Sequence, residues 1–210
     1  MYSLVVILSI TIVVSINAKV DLEYQRQRAL KQHNQLRRCH NVPDLVLDGE
    51  LNQSAQKYAE TMARTGEFKH SYPDKLGENL AYESIYVPKT NSQQYIADFE
   101  KKYMNSTVSI SWYCEFKDYD FNRGNSPTNG VILHFTQMVW KTTSKLGYGV
   151  AERISETDDG MYTVITIYAC AHYFEQGNIG SDMDFVEYVP PPRRSPAAQQ
   201  RILKLCNAEN

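Results

Sequence analysis

His134-Phe135-Thr136-Gln137-Met138-Val139-Trp140, with Leu146-Gly147-Tyr148-Gly149 shortly after it, is the stretch that decides how this chain folds. The first block reads as a short helix. The second opens a region of strands: 147–153, 162–167 and 168–174 are rich in β-branched and aromatic residues, and Asp158-Asp159-Gly160 marks a hairpin turn between the first two. A helix feeding a meander of this kind points to mixed α and β structure.

Working back towards the N-terminus, the periodicity becomes helical. From Asp21 to Asn41, Leu22, Ala29, Leu30, His33, Leu36 and Arg37 fall near helical spacing with no Pro or Gly between them. Pro43 ends that helix, and Leu45 to Asp48 form a short extended link. A second helix is expected from Gly49 to Thr65. Its apolar residues Leu51, Ala55, Tyr58, Ala59, Met62 and Ala63 share one face, with Asp48 placed to cap its start and Gly66 its end. Residues 67–77 contain Pro73, Asp74 and Gly77 and read as a loop. Two further helical stretches are expected over 92–103 and 107–117, and residues 119–128 read as a loop rich in Asn, Gly and Pro. In the tail, Pro190-Pro191-Pro192-Arg193-Arg194-Ser195-Pro196 reads as a stiff, exposed linker. Residues 197–205 read either as a short appended helix or as disordered chain.

Composition bounds what such a chain does. Its 210 residues are 42% hydrophobic and 22% charged, which suits one packed domain. Lys and Arg number 22 against 24 Asp and Glu, so no bulk positive field recruits nucleic acid or an anionic membrane. Leu4 to Ile16 is almost continuously apolar and Asn17-Ala18 supplies a small residue, so residues 1–18 read as a secretory signal peptide. An uncleaved signal anchor is the alternative, although the apolar run is short for a membrane span. Tyr2 rules out N-myristoylation. The expected organisation is thus a signal at 1–18, a domain at 19–189 and a Pro/Arg-rich tail at 190–210.

Secretion favours disulfides among Cys39, Cys114, Cys170 and Cys206. Four cysteines allow three pairings, between which the sequence does not choose. One or two buried thiols, or a bridge from Cys206 to another chain, are further alternatives. Asn52-Gln53-Ser54 and Asn105-Ser106-Thr107 are glycosylation acceptors.

Four polar residues lie in contexts that aim them inward: His70, Glu78, Glu115 and His134. If they converge they form a polar cleft. Ser71 beside His70 is a residue of loop structure, since neighbours in sequence do not make a hydrogen-bonded dyad. His33 and Asn34 are expected to pack and to cap loop backbone; His40 and His172 have no partner visible in the sequence and are assigned to packing. Trp112 and Trp140 are expected in the core.

Taken in order, His33-Asn34, Lys69-His70-Ser71, Gly77-Glu78-Asn79-Leu80, Trp112-Tyr113-Cys114-Glu115, His134 to Trp140, Leu146 to Gly149 and Gly177-Asn178 resemble the CAP superfamily. That superfamily comprises cysteine-rich secretory proteins, antigen 5 venom allergens and pathogenesis-related protein 1. The resemblance runs from about Val20 to Val189. It implies a three-layer α-β-α sandwich, α+β in class, with a central antiparallel sheet of three to four strands. It implies a cleft tetrad at His70, Glu78, Glu115 and His134, with a divalent metal ion, zinc above all, on His70 and His134 and the two carboxylates supporting the rings. Neutral imidazole is a good zinc ligand and nearby carboxylates orient it.

Departures from the family pattern set the subtype. His172-Tyr173-Phe174-Glu175-Gln176-Gly177-Asn178 is similar to the form found in the Golgi-associated branch. Cys170 falls one residue before the cysteine of plant and venom members, so on a strand it faces the other side and the familiar disulfide map does not transfer.

The function these readings imply is a secreted, extracellular, venom allergen-like binding protein, a monomer or weak dimer. Its expected partners are a divalent ion and a small lipid such as a sterol or fatty acid, together with an extracellular protein receptor through which it modulates host or immune processes. No nucleic acid is expected. Tyr119 and Phe121, in the 119–130 loop, are the candidate lipid contacts. No enzymatic turnover is expected; the alternative is a metal-assisted peptidase using the tetrad, against which stands the absence of any His-Glu-x-x-His segment.

Overall fold

A computed structural model describes residues 21–91, 108–196 and positions 200, 202, 204 and 206. The signal peptide expected at 1–18, the helix expected over 92–103 and the acceptor Asn105 lie outside the described residues.

The chain runs α1 (Leu22–Cys39), β1 (Val46–Leu47), α2 (Gly49–Thr65), β2 (Gly77–Pro88), α3 (Ser109–Cys114), α4 (Leu133–Val139), β3 (Lys145–Glu156), β4 (Tyr162–Phe174) and α5 (Asp182–Tyr188), with 3-10 turns at Lys89–Asn91 and Glu115–Asp118. The four strands lie in the order β1-β3-β4-β2. β2, β4 and β3 are antiparallel, whereas the two-residue β1 pairs parallel to β3. The expected wholly antiparallel sheet therefore gains one short parallel edge, because the extended link after Pro43 runs alongside β3 before α2 begins.

Alternation along the strands assigns the layers. Leu80, Ala151, Tyr168 and Cys170 pack with Ala55, Ala59, Met62 and Ala63 of α2. Their neighbours Val150, Ala169, Ala171 and Tyr173 point to the other face and join the larger core with Leu36, Phe135, Met138 and Trp140. Helices thus cover both faces of the sheet, giving an α+β three-layer sandwich. α2 follows its predicted bounds: the Asp48 side chain accepts from the amides of Glu50 and Leu51, and Gly66 closes it at φ 76° with its N–H on Met62 O. At Gly147 an added Cβ would lie 2.1 Å from the backbone carbon of Leu51, so glycine there is what lets α2 lie against β3.

Three readings are corrected by the fold. Residues 162–174 form one strand rather than two, while β2 begins where the loop expected over 67–77 ends, in a stretch to which the sequence reading assigned no element. Asn52 is buried, its Oδ1 accepting from Tyr148 N at 3.0 Å, so a glycan at Asn52 is incompatible with the packed α2–β3 contact. The stretch after Pro190 is no free linker: Pro190 O bonds the His40 ring at 2.6 Å, Arg193 N donates to Cys39 O at 2.7 Å, and Cys206 forms a disulfide with Cys114. Pro196, Gln200, Ile202, Lys204 and Cys206 are helical, and Ile202 and Cys206 are buried. Cys39 and Cys170 are buried, lie in separate core clusters and take no part in a disulfide.

Candidate functional site

β2 starts at Gly77, where a Cβ would sit 2.0 Å from Gln137 Oε1; the missing side chain lets α4 approach the head of the strand. Glu78 follows, opposite His172 of β4. Its carboxylate is nearly inaccessible, at 3% exposure, yet it has four donors. Oε1 meets His70 Nδ1 at 2.7 Å and Ser71 N at 2.9 Å. Oε2 meets His172 Nε2 at 3.1 Å and accepts from the Ser71 hydroxyl. Burial pushes the Glu78 carboxyl up, but the hydrogen bonds from His172, Ser71 and His70 more than offset it, so its pKa lies below the ordinary value.

A second pair sits on the opposite helical layer. Glu115, in the 3-10 turn after α3, places Oε1 2.6 Å from His134 Nδ1, while Oε2 accepts from the amides of His134 at 3.0 Å and Phe135 at 3.2 Å. Those amides are in the first turn of α4, where they have no partner within the helix, so one carboxylate both caps α4 and fixes the histidine ring. Trp112 stacks over His134, with 6.1 Å between ring centroids and 14° between planes.

β2 ties the two pairs together. Asn79, next to Glu78, donates to His134 O at 3.1 Å, and Trp112 Nε1 donates to Leu80 O at 3.1 Å. All four expected residues thus belong to one neighbourhood, as two His–Glu dyads on adjoining elements. They do not form a single cluster: among the described residues, the group whose ligand atoms all lie within 4.8 Å of one another is Glu78, Cys170 and His172. In both dyads Nδ1 faces a carboxylate, and neither ring's Nε2 has a hydrogen bond among the described residues. A neutral imidazole held this way has its Nε2 lone pair free, the donor a divalent ion takes, with the carboxylate as support.

The remaining expectations divide. Ser71 Oγ bonds Glu78, not an imidazole, in keeping with loop structure. Asn34 caps loop backbone, exchanging hydrogen bonds with Leu45 O at 2.9 Å and Leu45 N at 2.8 Å. Trp112 and Trp140 are core. Tyr119 and Phe121 are not lipid contacts on a flexible loop: Tyr119 is 5% exposed, donates to Phe185 O at 2.9 Å, and packs with Phe121 against Phe135. The loop buries Tyr119 and half-buries Phe121 against the core, because their rings pack on Phe135 of α4. Sequence reasoning missed His172 and Cys170. The signal lay in β4, whose alternation puts both on one face, but their partner Glu78 emerges only once β2 is recognised.

The comparisons with known proteins agree with this architecture. The model of the CAP family, cysteine-rich secretory proteins, matches residues 30–173. Golgi-associated plant pathogenesis-related protein 1 of Homo sapiens is 37% identical over 168 residues, covering 79% of this chain and 92% of that protein. Cysteine-rich secretory protein 3 of Homo sapiens is 28% identical over 184 residues, covering 86% of this chain and 66% of its own. The solved structure of BmVAL-1 superposes with a TM-score of 0.50 at 24% identity, covering 75% of this chain and 80% of that one, a likeness of fold.

Proposed function

We propose that this chain, which belongs to the CAP family of cysteine-rich secretory proteins, is a secreted binding protein that holds a divalent ion on His70 and His134 and performs no turnover. The observation that carries the reading is the matched build of the two dyads. In each, Nδ1 is fixed by a carboxylate that is itself held by further donors, backbone amides at Glu115 and the Ser71 amide and hydroxyl and the His172 ring at Glu78, and Nε2 is left to a ligand. Zinc suits imidazole donors; two protein ligands give a modest affinity. Secretion is supported by the disulfide, which fits an oxidising compartment, and by relatives whose names describe secretory proteins.

The same occupancy argues against a metal-assisted peptidase. The hydrogen bonds of Glu78 and Glu115 tie each carboxylate to the ring and backbone it positions, which supports an orienting role rather than that of a general base. The lipid half of the reading is assigned to the surface beside His70. There Phe68 and Tyr82 are exposed, their rings tilted against each other at 4.8 Å between centroids, and Tyr72, 86% exposed, lies 5.9 Å from the His70 ring.

Titration calorimetry with zinc tests the metal site. The expected result is saturable heat in the wild type that disappears in His134→Ala and in His70→Ala. Heat unchanged in His134→Ala overturns it. Saturable binding of labelled cholesterol to folded protein is the matching test of the lipid surface, and its absence removes that half.

A further inference from the structure

We propose that Glu78, Cys170 and His172 form a zinc-class metal site of their own, in which a thiolate, an imidazole and a carboxylate hold one ion beneath the His70 dyad. The register makes the site. Glu78 of β2 stands opposite His172 of β4, and Leu80 opposite Cys170. Two-residue alternation therefore sends Glu78, Cys170 and His172 out of the same sheet face, the one α2 covers. Their ligand atoms lie within 4.8 Å of one another. An ion bonded at about 2.0–2.3 Å to each of three ligands holds them some 3–4 Å apart, so closure needs side-chain shifts of about an ångström.

Three observations separate this group from an ordinary piece of core. Cys170 is fully buried and outside any disulfide, and Cys39 lies in a different cluster across the sheet. His172 is 2% exposed, and its Nδ1 meets no hydrogen-bond partner, so an interior ring stands one partner short. The Glu78 carboxylate, 3% exposed, already touches that ring, Oε2 lying 3.1 Å from His172 Nε2, so a carboxylate oxygen stands beside the thiol and the imidazole. The donor set selects the ion. Sulfur and imidazole together favour zinc over magnesium or calcium, which take oxygen ligands, and three protein ligands leave a fourth position open.

The site shares Glu78 with the His70 dyad, and its sulfur ligand is what tells it apart from the His70/His134 reading. Cobalt(II), a spectroscopic stand-in for zinc, is titrated into the intact purified protein. The expected result is a thiolate-to-cobalt charge-transfer band in the near ultraviolet, retained in His134→Ala and lost in Cys170→Ser. A wild type without the band at saturating cobalt overturns the proposal, as does a band that survives in Cys170→Ser. Because Cys170 is buried, X-ray absorption of the zinc-loaded wild type provides a readout that needs no variant: a sulfur neighbour at about 2.3 Å is expected, and a shell of nitrogen and oxygen alone overturns the assignment. Zinc bound through nitrogen and oxygen and lost in His134→Ala leaves the dyad reading standing while this one falls.

Discussion

His33 and His40 should make the protein lose stability between about pH 6.5 and pH 4. The two are built alike. In His33, Nδ1 donates to Ala29 O at 2.8 Å and Nε2 accepts from Tyr173 OH at 2.9 Å. In His40, Nδ1 donates to Pro190 O at 2.6 Å and Nε2 accepts from Tyr113 OH at 2.7 Å. Both rings are buried, and this burial holds each pKa down from the ordinary 6.5 to about 4. A carbonyl cannot donate, so each ring is the neutral Nδ1–H tautomer, and protonation puts a second N–H against a tyrosine hydroxyl in the interior. The sign follows. Below 6.5 the unfolded chain takes up protons that the folded state refuses until about 4, so stability is fully present above 6.5, drains as pH falls, and levels off below 4. A drop of 2.5 pH units in pKa corresponds to roughly 3 kcal/mol per histidine, an upper bound once relaxation of the interior is allowed. Glu78 acts in a lower window: its carboxyl is held below its ordinary 4.5, so its contribution is present above that value and is lost as pH falls through its folded pKa. Denaturant unfolding at half-unit steps from pH 7 to 4 measures the slope, in the wild type and in His33→Gln with His40→Gln. The wild type should lose several kcal/mol and the double variant should show a flat profile down to about pH 4.5. A flat wild-type profile, or an equal slope in both, refutes neutral burial as the cause.

Two further outcomes follow from the same core. Arg37 is fully buried, donating through Nε to Pro43 O, through Nη1 to Met138 O and Trp140 O, and through Nη2 to Thr143 O, at 2.7 to 3.0 Å. Arg37→Met strips the donor from four buried carbonyls and should destabilise by about 4 kcal/mol or more; a shift of the denaturation midpoint worth less than about 1 kcal/mol would sink that account. The Cys114–Cys206 bridge closes a separation of 92 residues. Replacing both cysteines by serine should cost about 2–4 kcal/mol, within the roughly 4–5 kcal/mol that loop entropy allows. It should also open the chain after Val189 to limited proteolysis, and a tail as resistant as in the wild type would show that Ile202 packing alone holds it.

What the sequence disclosed depended on whether a residue's partner lay nearby along the chain. α2 was fully legible, since its apolar stripe, Asp48 cap and Gly66 stop all lie within one helical period of what they act on. The members of each dyad were legible as candidates, but the pairing of Glu115 with His134 spans 19 residues and needs the turn after α3 to exist. β2 was hidden for a physical reason. Its early positions carry Glu78 and Asn79, polar residues pointing to opposite faces and satisfied there by His172, His70 and Tyr173, so the alternation that signals a strand is erased where the strand does most for the site. The disulfide was illegible for a similar reason, since nothing in the tail's composition indicates that it returns to α3.

The five histidines of the chain sort by how many ring nitrogens the fold satisfies, and that sorting ties structure to function. His33 and His40 have both nitrogens engaged by a carbonyl and a tyrosine, which leaves nothing for a ligand and makes them structural and acid-sensitive. His70 and His134 have one nitrogen fixed by a carboxylate, are part-exposed at 45% and 26%, and keep the other nitrogen for an incoming group. His172 has one nitrogen on a carboxylate as well, but its second is sealed in the core without a partner, beside a thiol. An unsatisfied nitrogen at the surface is met by water and costs nothing to keep, whereas the same nitrogen in the interior costs about 1–3 kcal/mol unless something fills it. The hydrogen bond from Nε2 to Glu78 accounts for one side of the His172 ring, and the unpartnered Nδ1 is the side that folding leaves unexplained. The shared carboxylate of Glu78, bonded to the exposed ring of His70 on one oxygen and the buried ring of His172 on the other, makes ion binding at either ring a perturbation of the other.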